Sequence, residues 1–277
     1  AFTTRIAVTA PAEYTVNSVG TPRAVDRDGD GTTTVWESKV PVRALNVVAG
    51  RWNVQRRDGA AVFHHPGHEH NVPEMLDALV AARQRYGEWF GPYPWPELRL
   101  SEFPDRVTLA QGFPSNIAFS EGLGFLARST ADRRLAFAVT AHEAAHQWWG
   151  NLVTVADAPG ADVLLEGMAN YATLLLHEAE LGPRARIAFA TQLERQYRAG
   201  RRQGTERPLL EMVDTGEPGT ATVVFDKGAW AFWMLHRHLG AERMLAGLRE
   251  FAITHRTDTA LYPTLADLLA TLRTRAP

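Results

Sequence analysis

Residues 141–151 read AHEAAHQWWGN, and no other stretch constrains the fold as much. His142 and His146 are four positions apart, so a helix places both imidazoles on one face, one turn apart. The rings can then converge on a single ion at about 2.0–2.1 Å, the usual zinc–nitrogen distance. Glu143 lies roughly a third of a turn round the helix from His142, beside such an ion and within reach of a water held there. H-E-x-x-H carries that division of labour: the metal acidifies the water and the glutamate removes its proton. An ordinary buried helix with two histidines satisfies the same letters, so the motif needs a partner. A tetrahedral catalytic zinc takes a third protein ligand and keeps one position open. Glu166 is the candidate, with nineteen residues between it and His146. Two antiparallel helices joined by a loop can bring it beside the two rings. Asn170 is one turn beyond Glu166, and its side-chain oxygen can fix the tautomer of a liganding histidine.

Around this pair the chain changes texture. Residues 1–63 alternate in the manner of strands (RIAVTA, YTVNSV, TTTVWESKVPV, LNVVAG, AAVFHH), punctuated by Gly, Pro and Asp. They predict an antiparallel sheet with too few strands to close a sandwich. From about residue 72 the period is helical. PEMLDALVAARQRYGEWF is amphipathic and stops at Gly91-Pro92, while ELRLSEFP and NIAFSEG read as strands. Thr130 is placed to cap a helix through LAFAVTAHEAAHQWW, and Asp162 to cap one through VLLEGMANYATLLLHEAEL. Three or four further helices follow. The fold class is α+β, a β-rich part at 1–63 preceding a mainly helical part at 64–277.

Composition closes several alternatives. A net charge of −2 provides no bulk field for nucleic acid or an anionic membrane surface. Cysteine is absent, which excludes disulfides and thiolate metal sites. No apolar run is long enough to span a bilayer. The chain begins AFTTRIAV and reads as a piece of a longer protein.

Two other polar clusters stand out. DRDGDGTTTVWE (residues 26–37) places Asp26, Asp28, Asp30, Gly31 and Glu37 at calcium-loop offsets, but strands flank it where an EF-hand needs helices. A polar hairpin turn is expected. HHPGHEH (residues 64–70) has the composition of a second metal site, yet its Pro-Gly favours an exposed loop. His177, His236, His238 and His255 are expected at surface or satisfied core positions, and Trp148 and Trp149 in core packing.

HEAAHQWWGNLVT followed by LLEGMANY resembles the M1 family of zinc aminopeptidases, within the gluzincin group. FGPYPWPELRLSEFP and FDKGAW resemble further stretches of that family. The resemblance implies a thermolysin-like zinc peptidase domain behind the end of an N-terminal β-domain, one Zn2+ per chain and a peptide substrate. Carried over by it, His142, His146 and Glu166 are the metal ligands and Glu143 the general base. The QWWG form, with its nineteen-residue spacing where most members have eighteen, is similar to a bacterial subset fused to membrane proteins. That likeness implies a membrane-associated parent and an extracytoplasmic position.

Two departures bear on activity. The family's Gly-x-Met-Glu-Asn motif, whose glutamate grips the substrate's free amino terminus, is replaced by QGFPSNIAFSE, residues 111–121. Gln111 and Gly112 at its start are expected in the cleft, and Glu102 and Glu121 read as structural or surface residues. Phe225 aligns with the family tyrosine that donates to the tetrahedral oxyanion, and a phenyl ring has no donor. Tyr171, Tyr197 and His236 are alternative donors. Two functions follow: a zinc peptidase, or a catalytically weakened zinc-bearing domain that binds peptides or regulates a membrane partner.

Overall fold

The computed structural model describes residues 1–128, 134–204, 206–217, 219–257 and 262–276. It is α+β, with two compact units: residues 1–84 with 93–147, and residues 85–92 with 148–277.

Among the described residues the first unit carries ten strands. β1 (Phe2–Pro11), β3 (Thr21–Asp28) and β4 (Gly31–Val42) form an antiparallel sheet in the order β1-β4-β3, and β2 (Thr15–Ser18) pairs with β5 (Val47–Gly50). Strand β4 buries Thr34, Trp36 and Ser38, the period of two expected when one face packs inward. The acidic stretch 26–37 is a β3–β4 hairpin, with Asp28 opposite Gly31 and Gly29 at φ +58°.

A second sheet joins β6 (Asn53–Arg57), β7 (Ala60–His64), β8 (Leu98–Phe103), β9 (Ala110–Phe113) and β10 (Asn116–Ser120) in the order β6-β7-β8-β10-β9. The expectation of purely antiparallel pairing stops at β7. That strand is antiparallel to β6 but parallel to β8, and β8 is parallel to β10. Parallel neighbours require a crossover, which α1 (Val72–Phe90) provides between β7 and β8. Strands buried on both faces read as continuous runs, which is why AAVFH shows little alternation. Chain position 63/64 lies at the end of β7, inside this sheet.

Helix α2 (Leu135–Ala145) closes the first unit. It is shorter than the period suggested. Its last turn ends with His146 at the C-cap, and residues 146–148 form a turn rather than more helix. Thr130, the expected cap, lies outside the described residues.

The second unit is helical: α3 (Met168–Leu176), α4 (Pro183–Gly200), the short α5 (Thr220–Thr222), α6 (Gly228–Leu239), α7 (Ala241–Thr254) and α8 (Leu265–Arg273). Helix α3 is buried along its whole length. π-Helical turns precede α3 (Val163–Gly167) and α6 (Val223–Lys227). Asp162 does not cap the first of these. Its backbone is already helical, and its carboxylate accepts the Asp214 N–H at 2.8 Å, which anchors the 214 loop instead. Trp148 donates its indole N–H to the Gly91 carbonyl at 2.7 Å, and the Trp149 ring is 5.2 Å from Phe90 and 6.5 Å from Phe251, as core packing requires. His177 is a satisfied core histidine, bonded through Nδ1 to the Thr173 carbonyl at 2.8 Å and stacked on Phe189.

Candidate metal and peptidase site

Within the first unit, the last turn of α2 brings His142 and His146 together. Their Nε2 atoms stand 3.1 Å apart and the rings meet edge to face, with centroids 4.8 Å apart. Both residues are half-buried, and Glu143 between them is only 7% exposed.

Strand β9 passes directly over this turn. A Cβ at Gly112 would stand 2.7 Å from the Glu143 carbonyl oxygen, 2.9 Å from the His146 Cβ and 3.4 Å from Glu143 Oε2. Only glycine permits that approach, so the strand's closeness to the helix is written into one residue. Gln111, next to it, is exposed. β9 is the outermost strand of its sheet, pairing with β10.

The β9–β10 hairpin is tied to α2 by Gln147, which is fully buried. Its amide oxygen accepts the Ser115 N–H at 2.7 Å and its amide nitrogen donates to the Phe113 carbonyl at 3.0 Å. Ser115 occupies the tight turn at φ +60°. Its hydroxyl accepts from the buried guanidinium of Arg99 at 2.9 Å and from the Gly20 N–H at 2.8 Å. Arg99 also donates to the carbonyls of Ser18 and Gly20 and lies over the Trp36 ring. Burial draws its pKa down to about 10. Neither Gln147 nor Arg99 stands out in the sequence. The only signal for Gln147 was its position directly after His146, and Arg99 looked like an ordinary strand cation.

The second unit brings Glu166, Asn170 and Phe225 onto neighbouring elements. Glu166 is half-buried on the π-helical turn before α3. Phe225 is half-buried on the π-helical turn before α6. The two turns meet backbone to backbone: a Cβ at Gly167 would stand 3.0 Å from both the Gly228 Cα and the Val224 carbonyl. Inserted π turns recur at functional sites because they re-aim side chains without ending the helix. Asn170 donates its amide to the Phe225 carbonyl at 3.4 Å.

The alternative hydroxyls are committed elsewhere. Tyr171 OH is 2.7 Å from His236 Nδ1, and burial holds that phenol well above its usual range. Burial also lowers the pKa of His236. Tyr197 donates to Glu206 at 2.8 Å. Glu206 also pairs with Lys227, which holds its carboxyl below the usual range. Beside Phe225, burial pushes the Asp226 carboxyl up to about 7.

The Peptidase family M1 domain matches residues 76–275. Aminopeptidase M1-B of Oryza sativa subsp. japonica is 29% identical over 201 residues, covering 69% of this chain and 22% of that protein. Endoplasmic reticulum aminopeptidase 1 of Homo sapiens is 26% identical over 227 residues, covering 76% of this chain and 23% of that protein. The chain therefore spans about a quarter of the length of the curated relatives it matches. The crystal structure of an M1 zinc metallopeptidase from Deinococcus radiodurans shares the fold, with a TM-score of 0.74 at 23% identity, covering 99% of this chain and 60% of that one. A mutant of that relative bound to a Tyr-Ser-Ala substrate superposes with a TM-score of 0.75 at 22% identity. With most of its length matched by one family and its fold shared with solved members, the chain belongs to peptidase family M1.

Proposed function

We propose that this chain carries the catalytic centre of a zinc-dependent peptidase that hydrolyses peptide bonds in the manner of the M1 aminopeptidases. The observation that carries the reading is the 3.1 Å separation of the His142 and His146 Nε2 atoms. Two tetrahedral ligands bonded at 2.0–2.1 Å stand about 3.3 Å apart, so this pair fits one zinc ion as it stands. Glu166 is the proposed third ligand, supported by its spacing from His146 and by family membership. When bound, zinc lowers the pKa of the water it carries and polarises the substrate carbonyl.

The chain's own residues do the rest. Glu143 takes the proton from the attacking water and passes it to the leaving amine. β9 offers an outer strand edge along which an extended peptide can lie as an added strand. Gly112 keeps that strand close to Glu143 and His146. A peptide substrate is further supported by the Tyr-Ser-Ala ligand of the solved relative. Amino-terminal chromogenic amides and internally quenched peptides, offered to the zinc-loaded chain, test the reading. Cleavage of either, abolished by chelation, is expected.

One observation favours a second reading, a zinc-bearing domain that binds peptides with little turnover. Phe225 offers no hydroxyl, and those of Tyr171 and Tyr197 are engaged with His236 and Glu206. Zinc binding and peptide binding without cleavage of either substrate class would establish it. The QWWG likeness supports a membrane-associated parent that holds this chain outside the cytoplasm. Among the described residues no helix is long and apolar enough to cross a membrane. Protease accessibility of the full-length protein in intact cells tests this, and protection there would contradict it.

A further inference from the structure

Three parallel strands of the first unit, β7, β8 and β10, end side by side. Ligands in sheets of this kind bind outside the carboxyl ends of the strands. Each of these three ends delivers a metal-type side chain: His65 directly follows β7, Glu102 is the penultimate residue of β8, and Glu121 directly follows β10. The loop after β7 adds His68. One donor atom from each of these four residues lies within 4.8 Å of all the others.

The site is built rather than incidental. The Glu102 side chain has no exposure. His68 Nδ1 stands 2.5 Å from Glu102 Oε1, and His65 presents its backbone N–H to Oε2 at 2.5 Å and its Nδ1 at 3.9 Å. The turn His65-Pro66-Gly67-His68 is closed by a hydrogen bond from the His68 N–H to the His65 carbonyl at 3.1 Å. Gly67 allows that turn at φ +90°. It brings the two rings to a centroid distance of 6.0 Å, and Trp52 stacks on His65 from the other side. Glu121 is oriented by the Asp105 N–H, which it accepts at 3.1 Å. A cavity of about 340 Å³ lined by His65, Glu102, Trp52 and Arg51 gives an ion a way in.

We propose that His65, His68, Glu102 and Glu121 form a second divalent-cation site of zinc type, separate from the His142–His146 pair. A buried carboxylate is unfavourable unless it is paired or coordinates a metal, and two carboxylates offset the charge of one divalent ion. Two imidazoles and two carboxylates suit zinc. Calcium takes six to eight oxygens, and magnesium prefers an octahedral oxygen shell. Donors bonded to zinc stand about 3.3 Å apart, so loading moves His68 Nδ1 away from Glu102 Oε1, now at 2.5 Å, and draws His65 Nδ1 inward from 3.9 Å. Four protein ligands leave no open position, so the ion staples the ends of β7, β8 and β10 and takes no part in hydrolysis. Within HHPGHEH, His65 and His68 border a buried carboxylate, while Pro66, Gly67, Glu69 and His70 are exposed as a loop would be.

Zinc content by mass spectrometry after dialysis, together with cobalt substitution, tests the proposal on the whole chain. The double variant H142A/H146A is expected to retain one equivalent of zinc, to show the visible bands of four-coordinate cobalt, and to melt several degrees higher with zinc than without. Adding H68Q, or alternatively H65Q should H68Q not fold, is expected to remove that equivalent and the zinc-dependent shift. A folded H142A/H146A chain that binds no zinc would overturn the proposal, leaving the four side chains as a hydrogen-bonded cluster. So would zinc retained after both H68Q and E102Q. If the first site were the one misread, the wild type would also bind one equivalent, lost with H68Q and untouched by H142A/H146A.

Discussion

Gly112 packs so closely on helix α2 that a methyl group on its Cα would lie 2.7 Å from the carbonyl oxygen of Glu143. The neighbour there is backbone, which cannot swing aside. Gly112→Ala is therefore expected to push β9 off the helix, lowering stability by about 1–3 kcal/mol, as overpacking does. Displacing the strand edge by even part of an ångström should reduce kcat/KM at least tenfold. Zinc affinity should change little, because neither histidine is replaced. Thermal melts, metal titration and steady-state kinetics on the variant check all three, and unchanged kinetics would show that β9 does not position substrate.

Gln147 makes a second, separable prediction. Gln147→Leu leaves the Ser115 N–H and the Phe113 carbonyl without their side-chain partner, at a cost of about 1–3 kcal/mol for each buried group. At pH 4, where a buried carboxyl is neutral, Gln147→Glu keeps an acceptor for Ser115 and a donor for Phe113, so its loss in urea unfolding there should be smaller than that of Gln147→Leu. Equal losses in the two variants would assign the effect to packing alone.

Phe225→Tyr adds the hydroxyl that Phe225 lacks. If the oxyanion now has zinc alone, the new donor should raise turnover by up to about 10²–10³, the usual worth of one such group. Zinc affinity should not move. High turnover in the wild type with no gain in the variant would point to a different donor already in place.

Asp226 gives the pH dependence a sign. Burial raises its pKa from 3.8 to about 7, so between those values the folded chain holds a proton that the unfolded chain has released. The neutral carboxyl's contribution is complete below about pH 4. It is lost as pH rises toward 7, at up to about 1.4 kcal/mol per pH unit. Asp226→Asn cannot ionise. It should match the wild type near pH 4 and exceed it in stability near pH 8, by chemical denaturation at both values. Parallel stability curves for the two proteins would show that folding does not raise the Asp226 pKa.

Much of the fold is legible in the sequence. Period alone separates the strand-rich start from the helices, and it locates α1 ending at Phe90 before Gly91-Pro92. The spacing of His142 and His146 puts both rings on one face of a helix, and the structure has them there, with their Nε2 atoms 3.1 Å apart. β9 was illegible: AQGF has no alternation, and it is a strand because β10 pairs with it and Gln147 holds its turn. The cluster around Glu102 was illegible for a different reason. Its members lie as far apart as residues 65 and 121, and only parallel pairing of β7, β8 and β10 brings them together. Asp162 shows the converse, since a good capping residue found a better acceptor role with Asp214.

The central claim is that Glu143 acts as the proton-transferring base beside a zinc held by His142 and His146. Hydrolysis of internally quenched peptides and amino-terminal amides by the zinc-loaded wild type and Glu143→Gln tests it most directly. The variant keeps the shape and the metal ligands but cannot accept a proton. Turnover is predicted to fall by about 10²–10⁴, the worth of a positioned base, with the zinc content unchanged. Equal turnover in the two proteins would contradict the account.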